Sequence, residues 1–253
     1  MYTELEKALK YLETDYLINV SIIEPIKNGT AEVLYASHEG VMVKDKRSEV
    51  IMIQTENMAL AETFLDNLPQ GVTHIVAHNS ALAELVERKF GCNVNATCCQ
   101  EANVPCYQNV KVPCYQGVYL KKTPFYPDTK ELEVRLLHEE EAKSAAALYG
   151  FSVEEAIEHI RLGLIYGGFV NNELAAMIGM HLQGSMGLLF VSEKYRHRGY
   201  AEIMEKYTID RILERGLVPY CQVVEGNTAS LALQSKLGLE MSKNMLYWMI
   251  KKS

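Results

Sequence analysis

The residues best placed to do chemistry lie in one run, Ser192-Glu-Lys-Tyr-Arg-His-Arg-Gly-Tyr-Ala201. Arg196, His197 and Arg198 stand directly before Gly199, and Ala201 follows one residue later. Upstream, Gly187-Leu-Leu-Phe-Val191 reads as an apolar strand; downstream, Tyr200, Ile203, Met204 and Tyr207 recur at helical spacing. The basic run is therefore a turn between a strand end and a helix start. Such a turn leaves several backbone N–H groups without acceptors, and together with the helix dipole they favour an anion. Gly199 lets the backbone approach a phosphate closely, Ala201 keeps the second position small, and the two arginines add charge. Taken alone, the same pattern also describes a solvated basic turn.

A second segment accompanies it. The first helix ends at Glu214-Arg215-Gly216, a strand covers Val218–Val224, and Asn227-Thr-Ala-Ser-Leu-Ala-Leu-Gln-Ser-Lys-Leu-Gly-Leu239 follows. Asn227 can cap a helix whose face is Ala229, Leu233 and Leu237, with Gly238 as its stop. Two further strands, about Gly238–Ser242 and Asn244–Lys251, are expected to close the sheet.

The elements that must position these segments alternate in type. From about residue 131 the pattern predicts a strand Leu132–Leu137 and helices Glu139–Tyr149 and Ser152–Leu162, the latter with a Ser152-x-x-Glu155 capping box. Strands Leu164–Val170 and Glu173–His181 then flank an Asn171-Asn172 turn, where positive φ is tolerated. The first half repeats the alternation: a helix at Thr3–Tyr11, strands at Ala31–Ser37, Gly40–Lys44 and Val50–Gln54, a helix at Glu56–Asn67, a strand at Thr73–Ala77 and a helix from Ser80 to Phe90. Lys121–Lys130 holds two prolines and no periodicity, and is expected to link a domain at 1–122 to one at 131–253. A tandem Val-Pro-Cys-Tyr-Gln, at 104–108 and 112–116, reads as two short edge or bulged strands.

Bulk properties narrow the classes. A net charge of −7 argues against a broad nucleic-acid surface. No apolar run reaches the roughly 18 residues of a membrane span, and Met1–Lys10 is a charged amphipathic stretch rather than a secretory leader. Cytoplasmic residence with reduced thiols is expected. Cys92, Cys98, Cys99, Cys106 and Cys114 cluster without a C-x2-C pair, so no metal is expected.

With both segments in hand, the stretch from Glu131 resembles the GNAT superfamily of N-acetyltransferases. Arg196-x-x-Gly199-x-Ala201 is similar to that family's pyrophosphate motif, and Asn227-x-x-Ser230-Leu-x-Leu-x-x-Lys-Leu-Gly238-Leu to its second cofactor segment. Tyr166-Gly-Gly-Phe-Val-Asn-Asn-Glu-Leu174 and Arg215-Gly-Leu-Val-Pro-Tyr-Cys221 resemble the glycine N-acyltransferase-like branch. The resemblance implies an α/β chain with a splayed, mixed central sheet at 131–253, preceded by an α/β domain compatible with a degenerate copy of the same fold. It implies acetyl-CoA or another short acyl-CoA as co-substrate, lying between the strand ending at Val191 and the strand ending near Val224. Leu189, Phe190 and Val191 would meet the pantetheine arm, the Val191 N–H would polarise the thioester carbonyl, Arg196 to Ala201 (with His197, Arg198, Gly199 and Tyr200) would cradle the pyrophosphate, and Asn227 and Ser230 would contact the pantetheine or diphosphate end.

The implied reaction moves an acetyl or short acyl group to the primary amine of a small molecule or amino acid. The amine must be neutral to attack, which calls for a base; Glu225 and His181 are the candidates. The tyrosine that many family members use as acid corresponds here to Gln234, leaving Tyr195, Tyr200, Tyr220 and Tyr247 as neighbouring phenols. A non-catalytic acyl-CoA-binding sensor or partner-binding module is the competing reading. Neither nucleic acid nor membrane is expected as partner, and a homodimer is left open.

Overall fold

The structure is a computed structural model that describes residues 3–91, 110–150 and 152–251. The chain forms two compact units: one built from the stretch up to Val118, Gln222–Leu231 and the stretch from Glu240 onward, the other from Tyr119–Cys221 and Ala232–Leu239.

The first unit starts with α1 (Glu4–Leu12), whose Thr3 cap forms a reciprocal box with Glu6. Next comes α2 (Tyr16–Lys27), which the periodicity did not predict. Its residues Ile18 to Ile26 are buried without interruption, so it has no polar stripe to betray a helix. Strands β1 (Ala31–Ala36), β2 (Gly40–Asp45) and β3 (Ile51–Thr55) form an antiparallel meander. They lead through α3 (Met58–Asp66) to β4 (His74–Ala77), parallel to β3, then α4 (Ser80–Phe90) and β5 (Val110–Val118). The cap of α4 is Asn79, whose Oδ1 accepts from Leu82 N at 2.8 Å. Alternation divides the apolar strands between two layers. Met52 and Val76 face α2, while Ile51, Ile53, Ile75 and Ala77 face α3 and α4. Burial on both faces explains why Val50–Ile53 is apolar throughout.

The second unit holds β6 (Glu133–Leu136), α5 (Ala142–Tyr149), α6 (Val153–Arg161), β7 (Ile165–Val170), β8 (Glu173–Met180), β9 (Met186–Val191) and α7 (Tyr200–Glu214); β10 (Tyr220–Val224) and α8 (Thr228–Leu237) are divided, with Gln222–Leu231 in the first unit. Strands β6 to β9 are antiparallel neighbours in sequence order. The β7–β8 turn places Asn171 and Asn172 at φ 50° and 63°, as their types allow. Helices α5 and α6 cover Ile165, Phe169 and Met177 on one face; α7 covers Tyr166, Ala176 and Ile178 on the other. Among the described residues, the helices and strands from α1 to β5 and from α5 onward follow the same order, α-α-β-β-β-α-β-α-β, with β6 as an extra leading strand.

Three expectations are corrected. The two closing strands are one, β11 (Glu240–Ile250), with a register shift between Met241 and Met245. That strand belongs to the first unit, not to a domain spanning 131–253: it lies between β4 and β5, antiparallel to both. The second Val-Pro-Cys-Tyr-Gln copy sits inside β5, where Pro113 faces Tyr247 and its carbonyl accepts from Glu225 N at 2.9 Å; a proline tolerates this because only its missing N–H is costly. The first copy, with Cys92, Cys98, Cys99 and Cys106, lies outside the described residues. No helix among the described residues is long and apolar enough to cross a membrane.

The stretch 121–130 is fastened rather than loose. Asp210, on the buried side of α7, accepts from Phe125 N at 2.7 Å and Tyr126 N at 2.8 Å, one through each carboxylate oxygen. Tyr119 stacks on Phe125 at 5.3 Å and donates to Thr123 O at 2.7 Å. Replacing Asp210 with Ala strands two N–H donors, so the variant should lose about 2–4 kcal/mol of unfolding free energy in urea titration, and Asp210→Asn about half of that.

Candidate functional site

The site starts from an irregularity in β9. Phe190 pairs with Met177 and Gly187 with Gly179, so three steps on β9 match two on β8. The surplus is a bulge at Leu188, which holds φ 56° in the left-handed region. A branched side chain there stores roughly 1–3 kcal/mol of strain, tolerated because the side chain is buried against the Gly179 backbone. The Tyr149 hydroxyl at the end of α5 hydrogen-bonds to the Leu188 backbone, and burial raises its pKa. Neither Leu188 nor Tyr149 was singled out from the sequence; Gly187-Leu-Leu-Phe-Val191 shows a strand but not its extra residue.

Beyond the bulge the ladder is regular. Ser192 N donates to Ala175 O at 2.9 Å, and Val191 lies opposite Ala176. In the antiparallel alternation, the Val191 N–H then points away from β8. On that other edge β10 runs parallel to β9 and, among the described pairings, meets it only at Cys221 and Met186, where the strands begin. Leu189, Phe190 and Val191 are half-buried there.

The chain then enters the basic turn. A single 3-10 turn, Glu193–Tyr195, is followed by His197 at φ 63° and Gly199 at φ 78°, directly before the fifteen-residue α7. Nothing lies within 4 Å of where a Gly199 side chain would start. The first N–H groups of α7, at Tyr200, Ala201 and Glu202, have no acceptor within the helix. Arg196 bends back so that Nε donates to Val191 O at 3.2 Å, and Arg198 lies over the Tyr195 ring at 5.5 Å. Tyr195 itself is anchored, its hydroxyl donating to Glu173 Oε2 at 2.8 Å. The Tyr200 side chain is buried among Leu132, Tyr166 and Met204, so only its backbone can serve a ligand. An open glycine, a run of free amides and two adjacent guanidinium groups fit a pyrophosphate.

The remaining candidates are placed as follows. His181 lies one residue beyond the end of β8, and its Nε2 sits where a Gly187 side chain would start, so only glycine fits opposite it. Burial, helped by the nearby His159, pushes its pKa down to about 4. Glu225 is an exposed carboxylate in the first unit, after β10. Asn227 caps α8 as expected, its Oδ1 accepting from Ser230 N at 3.1 Å. Tyr220 is committed to Gln183 O at 2.8 Å, and the pKa of Tyr247, on β11, is raised by burial. Gln234 is buried.

The corresponding strands of the first unit are closed. β3 and β4 pair in register at Ile51–Ile75, Met52–Val76 and Ile53–Ala77, and His78 N continues to Ile53 O at 3.1 Å. The turn after β3, Thr55-Glu56-Asn57, contains neither glycine nor arginine. Calorimetric titration with acetyl-CoA is expected to return one site per chain; two equivalent sites would contradict this reading of the first unit.

The depressed His181 pKa carries a pH signature. Burial favours the neutral ring, so its contribution to stability is present above about pH 6.5 and is lost as pH falls towards about 4. The His181 ring resonances should hold still between pH 5.5 and 8 in an NMR titration.

Residues 161–249 match the family described as FR47-like protein. A search of curated proteins returned no match. Among solved structures, the chain resembles a Drosophila protein at 15% identity, over 83% of this chain and 74% of that one, with TM-score 0.61. It also resembles a GCN5-related N-acetyltransferase from Kribbella flavida at 9% identity, over 94% and 96% of the two chains, with TM-score 0.57. A GCN5-related N-acetyltransferase-like protein from Streptococcus suis aligns at 14% identity over 98% and 100%, with TM-score 0.55. The chain thus shares the fold of these GCN5-related N-acetyltransferase structures, with an FR47-like segment at 161–249.

Proposed function

We propose that the protein is an N-acyltransferase that moves an acetyl or short acyl group from acyl-CoA to the primary amine of a small molecule or amino acid. The observation that carries the reading is the bulged β9, with its outward Val191 N–H, running into the Gly199 turn at the head of α7. The turn offers amides and guanidinium groups to a pyrophosphate, while the Val191 N–H offers a donor to a carbonyl oxygen that becomes anionic during attack. In the reaction the amine nitrogen bonds to the thioester carbon, the C–S bond breaks, and the sulfur leaves as a thiolate that takes up a proton.

Proton handling differs from a dedicated acid–base pair. A site with pKa near 4 is a weak acceptor for an ammonium proton of pKa about 10, so His181 does little as a base. Tyr195 and Tyr220 are committed to Glu173 and Gln183. We therefore assign the neutral amine to its own equilibrium in solution, which leaves roughly one part in a thousand unprotonated at pH 7, and the proton it sheds after attack to the departing thiolate. The commitment of these phenols also favours the second reading, a non-catalytic acyl-CoA-binding module.

Gly199→Glu should weaken CoA binding by about tenfold or more through a clash and like-charge repulsion, whereas Gly199→Asn, whose side chain tolerates positive φ, should bind nearly as the parent does. Unchanged affinity in the Glu variant removes the basis of the assignment. Thiol release from acetyl-CoA with a panel of primary amines separates the readings: release with any amine supports the enzyme, and CoA binding without release supports the module.

A further inference from the structure

The helices α7 and α8 are joined twice within the second unit. On the surface, Glu202 accepts from Lys206 at 2.7 Å and from Lys236 at 2.5 Å. Further in, Gln234 Nε2 donates to Glu205 Oε1 at 2.8 Å, between side chains that are 1% and 6% exposed. Two acceptor atoms remain: Glu205 Oε2 and Gln234 Oε1 are both buried and neither has a partner. Leaving two such atoms bare would cost about 1–3 kcal/mol each. One proton on Oε2, donated to the amide oxygen, satisfies both.

We propose that Glu205 carries a proton in the folded protein in mildly acidic solution and closes a two-hydrogen-bond acid–amide ring with Gln234, a positioning pair that sets α8 against α7. Burial raises the Glu205 pKa to about 7, and the Gln234 hydrogen bond opposes this only in part. The charged groups around it are engaged elsewhere: Lys206 and Lys236 with Glu202, and Asp210 with the backbone of Phe125 and Tyr126. The ring occupies Gln234 Oε1 and one of its two N–H bonds, and an amide N–H is too weak an acid to protonate a departing thiolate. Because α7 carries the Gly199 turn at its head, the bearing of the pair on cofactor affinity rests on the acyl-CoA reading above.

The sign follows from the raised pKa. The folded state holds the proton to higher pH than the unfolded chain, so the contribution of Glu205 to stability falls as pH rises from about 4.5 towards 7 and then levels off, opposite in sign to that of His181. In the full-length protein, the infrared difference spectrum between parent and Glu205→Gln at pH 6 should contain the carbonyl stretch of a protonated carboxyl group, fading as pH passes about 7. The variant keeps an amide–amide ring with the same two bonds. Its melting temperature should stay within about 2 °C of the parent at pH 5, and variant minus parent should then grow in the variant's favour between pH 5 and 8, because the buried histidines act equally on both. No protonated-carboxyl band at pH 6, or parallel pH profiles in parent and variant, overturns the proposal. If Glu205→Gln fails to fold, Gln234→Glu tests the same point: a carboxyl pair should lose stability more steeply with rising pH, and a flat profile refutes the ring. CoA affinity measured alongside keeps the two readings apart, since a parent that binds no CoA counts against the acyl-CoA reading and leaves the infrared and melting tests to judge the ring.

Discussion

The backbone hydrogen bonds of β9 govern the rest of the second unit. A strand in the interior of a sheet normally spends both edges on its neighbours, and nothing is left for a ligand. Here the extra residue at Leu188 changes the direction of the strand midway, and pairing with β10 stops at Met186. The free edge is costly unless something occupies it, and the protein surrounds it with compensations: Tyr149 hydrogen-bonds the bulge, Gly187 leaves room for His181, and Gly179 lets the Leu188 side chain bury itself. The turn at Gly199 completes this plan, because the strand that presents an unused N–H also delivers the chain to a helix start with unused N–H groups.

The first unit shows what the same succession of elements becomes when that edge is closed. β3 and β4 are zipped through three register pairs, and the turn that follows has ordinary side chains. Its polar interior serves packing. Gln116 Nε2 donates to Ser21 Oγ at 2.7 Å, Asn19 Nδ2 to Leu12 O at 3.1 Å, and burial drives the His78 pKa down to about 3, so the ring stays neutral. The same order of elements thus serves a packed core where the two strands keep their hydrogen bonds for each other.

Much of this was legible in the residues and some was not, for physical reasons. Caps and turns are local: Asn227, Ser152 and the Asn171-Asn172 pair act within four residues of themselves, and all three did what their types imply. The turn at Gly199 was readable because charge, a glycine and a change of period coincide there. Helix α2 was hidden because a fully buried, β-branched segment carries no amphipathic signal. The bulge was hidden because one additional apolar residue in an apolar strand changes no pattern. Glu205 was hidden because a single carboxylate on a helix reads as surface until its neighbours are known. Membership of β11 in the first unit was beyond any local rule, since its partners are set by pairing across more than a hundred residues.

That last feature governs the order in which the molecule can be made. On a ribosome the first half emerges long before residues 240–250, yet its sheet lacks the strand that sits between β4 and β5. Until residues 240–250 are made, two strands with apolar faces and bare hydrogen-bonding edges wait for a distant segment. They are open to wrong partners meanwhile. Loop closure over such a span is slow and entropically costly, so β11 is the strand that commits the first unit to its native form.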